Sequence, residues 1–97
     1  MAKKLLPFIF LIISLVSSAA DANRKFTLCI DPGHGGKDTG APGSKSVEKN
    51  INLSVALAFG RYVERNCPDV TVVYTRKTDV FIPLYERAEI ANRKKAD

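Results

Sequence analysis

One histidine, two cysteines and no tryptophan occur in these 97 residues. With so few, the paired-cysteine spacing of a zinc knuckle is absent. Nor is there an apolar run of roughly 20 residues, the length a helix needs to span a bilayer. The longest stretch, Leu5 to Val16, contains Ser14 and is followed by Ser17, Ser18 and Asp21. Lys and Arg number 15 against 10 Asp and Glu. The basic residues are scattered, with no stripe of Arg interleaved with aromatics, which argues against a nucleic-acid partner. At this length the chain holds one domain at most.

Lys3 and Lys4, the apolar run behind them and the small residues Ser17-Ser18-Ala19-Ala20-Asp21-Ala22 have the three-part build of a secretory signal peptide, residues 1–20, cleaved after Ala20 or Ala22. An uncleaved N-terminal anchor is the alternative. Cleavage leaves residues 21–97 with a net charge of +3, a mild excess suited to proximity with an anionic polymer. The expected localisation is periplasmic or extracellular, with no membrane insertion after cleavage; the oligomeric state is left open. In an exported chain Cys29 and Cys67 either pair or stay as buried thiols, and a bridge requires their Cα atoms to lie within about 7 Å.

Phe26-Thr27-Leu28-Cys29-Ile30 is a short apolar run stopped by Asp31-Pro32-Gly33, which predicts a strand in a sheet covered on both faces. Between Gly33 and Ser46 lie five of the six glycines, so this segment reads as a loop. Glu48 to Asn66 carries Ile51, Val55, Ala58, Phe59, Tyr62 and Val63 on one helical face, with Ser46 placed to cap the first turn. The β-branched run Val70 to Thr75 predicts a second strand, and a second helix is expected from about Pro83 to Lys95, Pro83 in its first position. The fold class is therefore α/β: the β-α-β-α start of a mostly parallel sheet with flanking helices, stopping before the third strand that the rhythm calls for. A right-handed crossover sets both strand ends on one edge. Two strands alone leave unpaired edges and a marginal core.

The single histidine, His34, sits in Asp31-Pro32-Gly33-His34-Gly35-Gly36, beyond the carboxyl end of the first strand, where open α/β sheets place ligands. The glycines fit neither nucleotide pattern. G-x-G-x-x-G fails because Asp38 stands where the third glycine belongs, and the phosphate-loop pattern fails because Asp31 stands where its first glycine belongs and Asp38 follows Lys37. A metal site remains, with an imidazole nitrogen from His34 and a carboxylate oxygen from Glu48 at the start of the helix, donors of the kind found in hydrolytic zinc centres. Glu48 is equally explained by the helix dipole, which favours an acid in the first turn by about 0.3–1 kcal/mol. Asp31 and Asp38 either orient a ligand or serve turns.

The run from Leu28 to Ala41 together with Glu48-Lys49 resembles the opening of the zinc-dependent N-acetylmuramoyl-L-alanine amidases of bacterial cell walls. Thr75-Arg76-x-x-Asp79, Pro83-Leu84-x-Glu86-Arg87 and Ala91-Asn92 are similar to that family's second strand and following helix, so the resemblance spans residues 26–97. It implies that residues 21–97 are the N-terminal portion of a catalytic domain and that His34 and Glu48 are two of three protein ligands to Zn2+. It further implies a peptidoglycan substrate, cleaved at the amide between N-acetylmuramic acid and L-alanine. The third ligand, a second histidine, and the general acid/base glutamate are expected beyond Asp97. No catalytic residue is therefore assigned here, and Glu64, Glu86 and Glu89 read as surface or salt-bridging groups. Arg76 and Arg87 are candidates for substrate carboxylates or for ordinary ion pairs. The rival expectation is an exported non-catalytic fragment or a peptidoglycan-binding module.

Overall fold

The computed structural model describes residues 25–97. The proposed signal peptide lies outside them. Four elements follow in the order β1 (Phe26–Ile30), α1 (Glu48–Asn66), β2 (Val70–Tyr74) and α2 (Leu84–Arg93). The two strands pair in parallel, Phe26 with Val70 through Ile30 with Tyr74. The expected β-α-β-α arrangement is thus observed, with β1 and β2 ending at the same edge. Among the described residues no helix is long and apolar enough to cross a membrane.

Helix α1 packs on the sheet through a narrower face than its apolar pattern predicts. Ala56, Gly60 and Val63, spaced i, i+4 and i+7, are its buried positions. Gly60 is required there because a Cβ would collide with the Tyr74 hydroxyl and ring carbon. Ile51, Val55, Phe59 and Tyr62, expected to face the core, are instead at least half exposed. They lie about 100° around the helix from the buried row, and a sheet of two strands is too narrow to reach both rows. Phe26, at the open end of β1, is likewise exposed.

Two local expectations are corrected, the cap of α1 and the bounds of α2. Ser46 does not cap α1: Val47 is the N-cap residue and makes no side-chain cap bond. The amides of Glu48 and Lys49 are satisfied by the carbonyls of Ala41 and Thr39, 3.0 Å away in each case. The loop thus folds back on the helix start and does with backbone what a serine would otherwise do. Helix α2 begins at Leu84 with Pro83 outside it, and ends at Arg93. Cys29 and Cys67 are free and half-buried; burial pushes the Cys29 thiol upward, with Asp31 adding to the effect.

Candidate metal centre

The segment from Gly33 to Val47 is a loop without being loose. Gly35 and Asp38 exchange two backbone hydrogen bonds, of 2.7 and 3.0 Å. Pro42 and Val47 form a second antiparallel bridge, closed by the Gly43 amide on the Ser46 carbonyl. Between these ties His34 takes a left-handed backbone conformation, φ 62°, which costs a non-glycine residue roughly 1–2 kcal/mol. That conformation aims its ring at the first turn of α1.

His34 Nε2 lies 3.0 Å from Glu48 Oε2, and Nδ1 lies 2.9 Å from Asp38 Oδ2. The two residues singled out as candidate donors are therefore brought together, with Asp38 behind the ring. Both carboxylates are held from elsewhere. Glu48 Oε1 accepts the Ala41 amide at 2.9 Å, and Asp38 Oδ1 accepts the Gly40 amide at 3.2 Å. Carboxylates face both ring nitrogens, so the metal-free site favours the doubly protonated imidazolium. The hydrogen bond to Asp38 raises the His34 pKa above its ordinary value, with Glu48 adding its charge. The His34 hydrogen bond lowers Asp38, helped by the Gly40 amide. The Ala41 amide lowers Glu48, followed by the charge of His34.

The donor chemistry suits a divalent ion. A neutral imidazole Nε2 whose Nδ1–H is fixed by a carboxylate is the usual arrangement of a ligating histidine. Donors about 2.0–2.2 Å from a tetrahedral zinc stand about 3.3–3.6 Å apart, a few tenths more than the 3.0 Å here. Among the described residues no group of three or more His, Cys, Asp or Glu is disposed to hold a metal.

The loop is held from beneath by two arginines. Arg76, 4% exposed, gives Nε to the Pro32 carbonyl, Nη1 to Thr78, and Nη2 to both Gly33 and Lys49. Arg87, 7% exposed, donates to the carbonyls of Pro32, His34 and Ile82 and pairs with Asp31 at 2.7 Å. Asp31 also accepts the Thr75 hydroxyl. The Arg76 guanidinium is spent on backbone carbonyls inside the fold, whereas Arg87, ion-paired with Asp31, also lines the cavity beside His34. Burial lowers the Arg76 pKa, and the neighbouring Arg87 charge adds to this. Asp79 completes the frame, accepting the Gly36 amide at 2.8 Å and Lys49 Nζ at 2.9 Å, while Lys49 also reaches the Gly36 carbonyl. These contacts lower Asp79, Lys49 foremost.

Beside His34 opens a cavity of about 500 Å³, lined by Asp31, His34, Asp38, Phe81, Ile82 and Leu84 among others. Lys37 Nζ stands 4.5 Å over the Phe81 ring near this opening.

A family model described as N-acetylmuramoyl-L-alanine amidase matches residues 28–97. The chain belongs to the N-acetylmuramoyl-L-alanine amidase family. Among its amidase relatives, the probable AmiB of Haemophilus influenzae is 45% identical over 74 residues, which is 73% of this chain and 17% of that protein. The solved AmiC2 amidase of Nostoc punctiforme superposes with a TM-score of 0.66 at 42% identity, over 73% of this chain and 39% of that one. The amidase of Clostridium difficile 630 gives 0.71 at 38% identity, over 76% and 40%. This chain thus spans two fifths or less of the amidases it matches, and its α/β start agrees with theirs.

Proposed function

We propose that His34 and Glu48 are zinc ligands and that the chain carries this part of a zinc-dependent peptidoglycan amidase, acting on the amide between N-acetylmuramic acid and L-alanine. The observation that carries the reading is the 3.0 Å approach of His34 Nε2 to Glu48 Oε2, in a chain that belongs to the amidase family. Zinc, when bound, supplies a water of lowered pKa and polarises the carbonyl. His34 and Glu48 offer the donors; Asp38 fixes the ring so that Nε2 points outward, and on metal binding keeps the proton on Nδ1. The Ala41 amide keeps Glu48 ionised and in place. The cavity beside His34 is of a size to admit a short peptide segment.

The substrate lies outside the cytoplasm, which accords with the basic, apolar and small-residue order of residues 1–20. The test is release of soluble peptide from purified peptidoglycan by the folded chain at saturating zinc. Zinc-dependent release, abolished by His34→Ala, supports the hydrolase. A folded chain that binds no zinc, or binds it as tightly after His34→Ala, contradicts the ligand assignment.

A further inference from the structure

The geometry points to Arg76 as a positioning residue that sets the separation of His34 and Glu48, the pair read above as metal donors and on which the metal arm of the test rests. Its Nη2 donates to the Gly33 carbonyl at 2.8 Å and to the Lys49 carbonyl at 3.1 Å. Gly33 immediately precedes His34, and Lys49 immediately follows Glu48. One nitrogen therefore ties together the two backbone segments from which the facing side chains leave. The same guanidinium is fixed in turn by the Pro32 and Thr78 carbonyls, at 3.0 Å each. Its plane is locked to the end of β1 on one side and to the β2–α2 connection on the other.

Among the described contacts no other side chain joins the Gly33 carbonyl to the Lys49 carbonyl. Arg87 holds Pro32 and His34 but reaches nothing on α1. Asn52 reaches Gly33 from α1, with a longer bond of 3.3 Å. Lys49 crosses from α1 to the Gly36 carbonyl, farther along the loop. The planar fork matters because four carbonyls spread over two directions must be served at once; a lysine ammonium is a single point on a flexible stem and cannot span them. Arg76 is also positioned to stabilise His34 in its left-handed conformation, since the carbonyl of the preceding peptide is the one it grips.

The test compares the full chain with Arg76→Lys and Arg76→Met, and with Val63→Ala as a control that weakens the core of α1 without touching the loop. Amide exchange of Ala41, whose N–H is bonded to Glu48 Oε1, reports the Glu48 side of the pair, and the mutual Gly35 and Asp38 amides report the His34 side. Leu28 and Val73, whose amides face the partner strand in this register, report global opening. In the Arg76 variants protection at Ala41 is expected to fall about tenfold or more relative to the strands, and zinc affinity by roughly 10–100-fold, the usual loss when a support of a ligand is removed. In Val63→Ala the ratio of loop to strand protection stays as in the wild type. If the Arg76 variants lose loop protection and zinc affinity only in step with global stability, as the control does, the positioning role is refuted. Should Arg76→Met not fold, Arg76→Lys decides alone. A wild-type chain that binds no zinc overturns the metal reading, whereas the exchange ratios still decide the role of Arg76.

Discussion

Gly40 is the position where a single methyl group tests the site most severely. Its φ is 66°, a region in which alanine costs roughly 1–2 kcal/mol. A Cβ there would stand 2.7 Å from His34 Cδ2 and 2.8 Å from both Cβ and Oε1 of Glu48. Ordinary carbon contacts begin near 3.5 Å, so one of these groups must retreat by about 0.7–0.8 Å. Metal sites tolerate errors of about 0.2 Å in donor placement. Gly40→Ala is therefore expected to lose about 1–2 kcal/mol in urea unfolding, where the backbone strain is read, and more than tenfold in zinc affinity by calorimetric titration. The asymmetry is the signature, because the same methyl group is a modest burden to the fold and a wedge between the donors. A variant that binds zinc as well as the wild type would show that Gly40 does not confine the pair. The claimed contact between loop and donors would then be wrong.

Metal-free stability should vary with pH in a defined window. A raised His34 pKa contributes stability that is whole below its ordinary 6.5 and fades as pH rises through the raised value. Lowered Asp38 and Glu48 contribute above their ordinary 3.8 and 4.5 and fade as pH falls through the lowered values. The stability difference between wild type and His34→Ala, measured with chelator present, should thus be greatest between 4.5 and 6.5; a difference independent of pH contradicts the paired imidazolium. Gly60→Ala forces Tyr74 to move, at about 1–3 kcal/mol, partly offset by up to about 1 kcal/mol of helix propensity. A net thermal destabilisation of about 1–2 kcal/mol with unaltered zinc affinity is expected, and no destabilisation would mean that α1 and β2 pack less closely. Ser46→Ala should stay within about 0.5 kcal/mol of wild type by the same unfolding measurement, whereas a true cap would cost about 1 kcal/mol.

The strands and α1 were readable because their signals are local. Five consecutive strand formers end at Asp31-Pro32, and an apolar repeat runs unbroken from Ile51 to Val63. Which part of the α1 repeat is buried was not readable, since that depends on how wide a sheet lies beneath it. His34 and Glu48 could be named from glycine context, topology and resemblance, but their 3.0 Å approach depends on the fold-back of residues 39–41 onto the helix start. Serine-capping statistics cannot foresee such a contact. Arg76 and Arg87 were the least legible. In sequence a charged residue after a strand or on a helix reads as solvent-facing, and only the loop's carbonyls, turned inward by a left-handed His34, make a buried guanidinium favourable. The Asp79 contacts to Gly36 and Lys49 were hidden for the same reason, since they join residues 43 and 30 positions apart.

The most direct measurement is zinc-edge X-ray absorption on the full chain loaded with one equivalent of zinc, alongside His34→Ala and Glu48→Gln. One imidazole in a shell otherwise of oxygen is expected, with the imidazole scattering lost in His34→Ala and weaker binding in Glu48→Gln. A sulfur shell from the cysteines, or an imidazole signal that survives removal of His34, would contradict a centre built on His34 and Glu48.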